Sequence, residues 1–583
     1  MSSASRNARR LVQLAPAILV TLTALFALPH EAGGFRLAKW SAFGLALGAI
    51  AVALLVQPAP LRLPRSWFAL GAFVASAVAL PAFSPALGLT HWPTALGVLS
   101  GLALFFVTVS ALGDDDDARR ACLVVLTGSG ALCSAVVLLQ AAGLRWLTSD
   151  VYTGLEFRAP GTFGNPNWAA AFLAPLVPLS LGLAASAKRR WLYYAAAGLL
   201  SVATVATLSK GGVVTLAAGL FVFAALGRSV PRGRRLALFA AVGACAAAAL
   251  ALAWHEDFAT RASWLRGRLF LWRAALFIVR EHAFTGSGLG GYPSAYGRAC
   301  VALIDGDPAA FMPLASVDFA HNDLLQFAAE AGLVTAAAFV FVVVAALASA
   351  HRRSDSQSRA VGAALAAIFV NGLADSPLRV PSTFVLFFFL LGWLSPAAKR
   401  AKGSRPLLGV IALLGVLQGI RFAAGDAYWT LGREALAAGR PAVAQLERAR
   451  FWMPEHGRSA SQYARALGRA GRFEDALAAS AVAASLRFDF DDEIFRRDLK
   501  SRSLTRAAAI SQWQELSARF PALVTPYLRL GALHLQANDR AAAIAAYQAV
   551  LANPQPTTRA EAARAQARSV LQSLLSRPQP RTR

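Results

Sequence analysis

The chain has 583 residues, 56% of them hydrophobic and only 15% charged, at a mean hydropathy of +0.50. A soluble protein cannot bury that much apolar material, so the composition excludes an ordinary soluble enzyme and calls for lipid as part of the solvent. The formal charge of +26 would suit nucleic acid, but most basic residues before about residue 425 stand in short clusters between apolar stretches, where the positive-inside rule puts them; no nucleic-acid partner is expected.

The start combines Arg6, Arg9 and Arg10 with an apolar run from Leu11. It has the charged front of a signal peptide, but the run is about long enough to span and a second follows closely, which predicts a retained first helix. Stretches able to cross about 30 Å of hydrocarbon lie near 11–29, 38–57, 67–87, 94–113, 121–143, 167–185, 191–208, 212–227, 236–254, 324–350, 360–374, 383–398 and 406–424. The expected fold is thus an all-α polytopic bundle of about 13 transmembrane helices over residues 1–424. Every second gap carries a basic cluster, among them Arg119 with Arg120, Lys188 to Arg190, and Arg352 with Arg353. Those gaps face the cytoplasm. The register sends segments 144–166, 255–322 and 375–382 outside, together with the C-terminal tail. Asp114 to Asp117 reads as a solvated turn, since acidic residues hardly influence orientation. Cys122, Cys133 and Cys245 fall in apolar stretches and leave Cys300 alone in a polar segment, so neither a disulfide framework nor a Cys-based metal site is indicated.

Beyond Gly425 the composition turns to Ala, Arg, Glu and Gln, with a period of roughly 33 residues, close to the tetratricopeptide period. Ala444, Ala476, Ala509 and Ala543 mark matching small positions; Gly432, Ala464 and Gly531 recur in first helices, and Trp513 or Tyr547 in second ones. Residues 425–576 are therefore expected to form a tetratricopeptide-like helical-repeat domain that offers a concave surface to a protein partner. Residues 577–583 read as a disordered tail.

Several polar residues at the outer mouths of spans carry chemical potential. In the segment Arg158 to Asn167, the glycines and prolines suit a turn, and Asn167 suits a helix cap. Arg158 can either snorkel to water or hold an anion such as pyrophosphate. In the segment Arg266 to Arg280, the residues Arg266, Arg273 and Arg280 fall on one helical face, with Arg268 and Trp272 one turn apart. That helix can anchor to anionic lipid or present guanidinium groups to a lipid pyrophosphate. Gly286, Gly288, Gly290 and Gly291 mimic a dinucleotide fingerprint, but no βαβ pattern surrounds them, which rejects a nucleotide site. His321, Asn322, Gln326 and Glu330 enter the edge of an apolar span, where polar groups are costly and usually functional. For His321 a helix cap is the bland alternative to a catalyst.

The order Arg158…Gly-Thr-Phe-Gly-Asn-Pro-Asn167, Ser209-Lys-Gly211, Arg268-Leu-Phe-Leu-Trp272…Gly286-Ser-Gly288, His321-Asn-Asp-Leu-Leu-Gln326 and Asp375-Ser-Pro-Leu378 resembles the bacterial O-antigen ligase and polymerase superfamily over roughly residues 120–400. Where that family usually has Ser-Arg-Gly, this chain has Lys210, which keeps the charge without the bidentate fork. The resemblance implies a glycosyltransferase of the inner membrane. Its donor is a polyprenyl-pyrophosphate-linked glycan and its acceptor a glycan, a lipid A core or a protein, joined on the periplasmic side with neither metal nor cofactor. On that reading Arg158 and Arg268 hold the pyrophosphate, Lys210, Arg266, Arg273, Asn167 and Asn322 assist substrate binding, and His321 takes the acceptor's proton. Two alternatives come from other classes: a flippase for lipid-linked oligosaccharide, which predicts charges deep within several helices and an internal repeat, and a repeat scaffold on a membrane anchor.

Overall fold

The computed structural model describes residues 3–27, 35–56, 62–63, 67–144, 158–227, 233, 240, 258–306, 317–353, 355–395, 399–400, 405–553 and 558–576. Among them are 22 α-helices and one two-residue antiparallel pairing, Arg62 with Arg400 and Leu63 with Lys399. The first part comprises α1 (Ser3–Leu25), α2 (Leu37–Val56), α3 (Trp67–Ala79), α4 (His91–Leu112), α5 (Asp116–Ala141), α6 (Pro166–Ser186), α7 (Arg190–Ala206) and α8 (Lys210–Ala225). It continues with α9 (Phe258–Glu281), α10 (Tyr292–Gly306), α11 (Asp323–Arg353), α12 (Ser356–Gly372), α13 (Pro381–Leu394) and α14 (Arg405–Ala437).

Seven helices are long and apolar enough to cross a membrane, namely α1, α2, α4, α5, α6, α11 and α14. The chain is an all-helical, multi-pass membrane protein. Thirteen spans are expected from the sequence, and the difference has a physical reason. Helices α3, α7, α8, α12 and α13 have 13 to 17 residues, about 20–26 Å at 1.5 Å per residue, short of the roughly 30 Å core. Apolar composition continues past their ends, but caps such as Ser209 and Asp355 fix where the helices begin. The stretch 236–254 lies outside the described residues apart from position 240.

Close backbone approach holds the bundle at one seam. Gly44 and Gly48 of α2 face Gly415 and Gly419 of α14, so that a Cβ on Gly44 would stand 2.6 Å from the Gly419 nitrogen and 2.7 Å from the Gly415 oxygen. Both pairs have the small-xxx-small spacing that lets membrane helices touch along their backbones. Gly44→Val is expected to destabilise the protein by about 1–3 kcal/mol, read as a lowered unfolding temperature in detergent, whereas Gly409→Val on the open side of α14, with nothing within 4 Å, is expected to be near neutral.

Buried charges close the ends of helices. The Lys39 ammonium, 1% exposed, donates to the carbonyls of Thr23 (2.9 Å), Ala24 (2.6 Å) and Phe26 (2.8 Å). It thereby satisfies the acceptors left over where α1 ends. Arg119 does the same for two helices, donating to Gly113 O and Ser395 O, both at 2.9 Å, and to Trp393 O. The residue expected as a topological marker is thus also a structural clamp between α5 and α13. Asp115, in the expected solvated turn, caps α5 by accepting from Ala118 N at 3.0 Å and holds Gln13 of α1 at 2.8 Å.

The remaining helices form an antiparallel array. Helix α14 runs unbroken through residue 424 as far as Ala437, a turn leads to α15 (Val443–Trp452), and helix pairs continue through α16 (Gly457–Arg469), α17 (Phe473–Leu486), α18 (Phe490–Ser501), α19 (Arg506–Arg519), α20 (Val524–Gln536), α21 (Arg540–Ala552) and α22 (Thr558–Ser576). Ala476, Ala509, Ala543, Trp513 and Tyr547 are buried between these helices. A Cβ on Gly432 would meet Leu446 at 2.5 Å, and one on Gly531 would meet Tyr547 at 2.7 Å. Ala444 is exposed and Ala442 buried instead; the first pair therefore departs from the expected register. The array sits on the bundle where Phe488 N donates to Pro293 O at 3.0 Å.

Candidate active site

The segments singled out in the sequence converge at the ends of α8, α11 and α12. Helix α8 opens with Ser209 as cap, its Oγ accepting from Gly212 N at 3.1 Å, so Lys210 occupies the first helical turn. Arg158 secures the approach to that cap. Its Nε donates to Thr207 O at 3.2 Å, and its Nη2 donates to Leu208 O at 2.9 Å and to Asn167 Oδ1 at 3.0 Å. Leu208 is held at φ 55°, a left-handed backbone that a branched side chain adopts only under constraint. Arg158 is therefore a structural clamp as well as a candidate anion ligand. The cap of α6 is Asn165 rather than the expected Asn167: Asn165 Oδ1 accepts from Asn167 N at 2.8 Å, and Pro166 fills the first helical position, where no donor is needed. That frees the Asn167 carboxamide to hold Arg158.

Asn371, near the end of α12, joins α8 by donating to Thr215 Oγ1 at 2.7 Å. The turn that follows meets the other candidate residues. Arg268 Nη1 donates to Ala374 O at 2.9 Å, Asn322 Nδ2 donates to Leu373 O at 2.9 Å, and His321 Nδ1 lies 2.8 Å from Asp375 Oδ1. Asn322 is the cap of α11, accepting from Leu325 N at 3.0 Å, so the cap reading of His321 fails. His321 stands one residue earlier at φ 51°, its side chain 37% exposed while that of Asp375 is 18% exposed. Burial would raise the Asp375 carboxyl, but the hydrogen bond and charge of His321, together with the charge of Arg268, outweigh it and hold the group below the usual carboxylate range. An ionised Asp375 favours the imidazole tautomer with its proton on Nδ1, leaving Nε2 as the accepting nitrogen.

A buried network fixes the loop that carries His321. Gln326 accepts from Ala320 N at 3.0 Å and donates to Glu330 Oε1 at 3.0 Å, while Arg379 pairs with Glu330 Oε2 at 2.7 Å. Helix α11 breaks at Gly332 (φ 83°), where a Cβ would lie 2.1 Å from Phe284 O. The break opens the carbonyls of Ala329 and Glu330, which accept from Ser287 N and Gly288 N at 2.9 Å each. These glycine-loop donors are thus used within the protein. Arg266 and Arg273 are exposed, on the face that the seven-residue spacing predicts, and Arg268 is partly buried. Asp375 and Arg379 received no role from the sequence, although Asp375 opens one of the quoted motifs, and Glu330 was singled out only as a costly polar group at the edge of a span. Among the described residues, no three His, Cys, Asp or Glu side chains converge as a metal site would need.

This is an all-helical membrane protein with a histidine–carboxylate pair and basic side chains at helix ends. A family model described as O-antigen ligase matches residues 195–340, a stretch that holds Lys210, Arg266, Arg268, Arg273, His321 and Asn322 and leaves Arg158, Asn167 and Asp375 outside. The match supports a membrane glycan ligase or polymerase type of function. A comparison with curated proteins finds no match.

Proposed function

We propose that the chain transfers a polyprenyl-pyrophosphate-linked glycan to an acceptor hydroxyl on the periplasmic side of the inner membrane. The observation that carries this reading is the 2.8 Å pair of His321 and Asp375 beside Arg268. His321 Nε2 takes the acceptor's proton as its oxygen attacks the anomeric carbon of the donor. A new carbon–oxygen bond forms, the bond from the anomeric carbon to the phosphate oxygen breaks, and the electron pair leaves with the pyrophosphate. Arg268, Arg158 and Lys210 at the start of α8 stabilise the charge that grows there, aided by the positive end of that helix; Arg266, Arg273, Asn167 and Asn322 order the substrate and the loops around it. The acceptor is a glycan, a lipid A core or a protein, and the C-terminal array is a tetratricopeptide-like domain that meets it or an assembly factor. Deleting the gene and resolving surface polysaccharide on a gel tests the reading. Lost chain length marks a polymerase, free polymer unattached to lipid A marks a ligase, and an unchanged glycan profile contradicts both.

The orientation follows the basic gaps, with about thirteen spans and an outside tail. An alkaline phosphatase fused after Arg583 is expected to be active and one fused after Arg234 inactive. The reverse pattern would put the candidate site on the cytoplasmic side and remove it from periplasmic glycan transfer.

A further inference from the structure

Between the bundle and the C-terminal array lies a cavity of about 820 Å³, within the roughly 300–1,000 Å³ usual for small-ligand sites. It is distinct from the candidate active site: His321, Asp375, Arg158, Arg268 and Lys210 do not line it, whereas Phe319 and Gln326, on the same loop and helix as His321, do. One wall belongs to the bundle, with Trp40, Trp168 and Arg379; the other belongs to the array, with Trp429, His456 and Arg487.

Three features indicate its ligand. First, five buried polar atoms of lining residues make no hydrogen bond within the chain: Gln418 Oε1, Glu455 Oε2, His456 Nδ1, Arg379 Nε and Arg487 Nε. Gln418 is itself only 3% exposed. Buried groups of this kind are expensive unless a ligand completes them, and the set holds both acceptors (Gln418, Glu455) and donors (Arg379, Arg487), which hydroxyl groups can meet in either role. Second, tryptophans line both walls, Trp40 and Trp168 on the bundle and Trp429 on the array, and indoles are among the side chains on which the C–H groups of a pyranose ring pack. Third, the lining carries five arginines against three carboxylates. That excess of fixed positive charge favours an anion on the ligand; burial first, and then the charges of Arg458 and Arg36, push the His456 imidazole down to about 3 and keep it neutral there.

We propose that this cavity is a second carbohydrate site, built jointly by the membrane bundle and the C-terminal array, which binds a short segment of an acidic glycan bearing uronic-acid carboxylates. The choice of a glycan rests on the transferase reading, but occupancy is measured without transfer. The array thereby becomes a wall of a substrate site, joined to the His321 loop through the Arg458–Asp318 ion pair at 2.7 Å.

The test is calorimetric titration of the full chain in nanodiscs with tetragalacturonate and, separately, with maltotetraose. Tetragalacturonate is expected to bind and maltotetraose to bind at least about tenfold more weakly, since the charge-assisted contacts are lost. Gln418→Glu, which places a like charge against the ligand, and Arg433→Glu, at an exposed lining position, should each weaken tetragalacturonate by about tenfold or more. His321→Gln should bind it as the unmodified chain does. Equal affinity for the two sugars, no binding of either, or affinity unchanged in both Glu variants overturns the proposal, as does a copurifying phospholipid that neither sugar displaces. A chain that transfers glycan but ignores tetragalacturonate sinks the second site and leaves the transferase reading intact; binding without any transfer does the reverse.

Discussion

Replacing His321 by Gln is expected to lower glycan transfer by about 10²-fold or more while leaving donor binding intact, the loss typical of a missing general base. Glutamine still hydrogen-bonds Asp375 but cannot take a proton. Asp375→Asn should fall in the same direction, because an amide no longer favours the tautomer that leaves Nε2 accepting. The pH dependence has a definite sign. The Asp375 carboxyl, held below the usual carboxylate range, stays ionised as pH falls through mild acidity, so its hold on His321 and the transfer that depends on it persist there and are lost only as the carboxyl itself takes a proton in stronger acid. A purified His321→Gln protein with near-normal turnover per folded molecule would remove this residue from the chemistry.

Arg268→Ala is expected to abolish most transfer while the protein still accumulates in the membrane, since removing a preorganised cation from a developing anion costs roughly 10²–10³-fold in rate. Lysine at that position should rescue only in part, because a point charge cannot grip two oxygens. Arg158→Ala should lose activity too, but by two routes at once. Arg158 holds the left-handed Leu208 turn and Asn167, so this variant is also expected to unfold at lower temperature. A rate loss in Arg268→Ala without a stability loss, beside both losses in Arg158→Ala, separates the leaving-group role from the clamp. Full activity in Arg268→Ala would reduce that side chain to an interfacial anchor.

The outer motifs were legible because polar residues at the mouths of apolar spans stand out against their surroundings. The helix start at Asp323, the Arg266–Arg273–Arg280 face and the buried Ala476, Ala509 and Ala543 all follow from periodicity, which composition preserves. Caps were less legible, because Asn165 and Asn167 are equivalent as residue types and only the position of Pro166 inside the helix decides between them. The partner of His321 was out of reach for a different reason. Asp375 lies 54 residues away, and no local pattern tells which loop a histidine will meet. Arg119 read only as part of a basic cluster and Lys39 drew no reading at all; the acceptors of both are helix-terminal carbonyls, which carry no sequence signature. The glycine seam of α2 and α14 did have a signature, two four-residue glycine spacings, whose meaning depends on their facing one another across more than 350 residues.

The central claim meets its most direct test in the release of polyprenyl pyrophosphate. Purified chain in nanodiscs would be given a defined polyprenyl-pyrophosphate oligosaccharide and an acceptor glycan, with both products followed by mass spectrometry. One polyprenyl pyrophosphate released for each glycan joined, by the unmodified chain and not by His321→Gln, is the predicted result. Movement of intact donor across the bilayer without release, or release at equal rates in the two proteins, would contradict it.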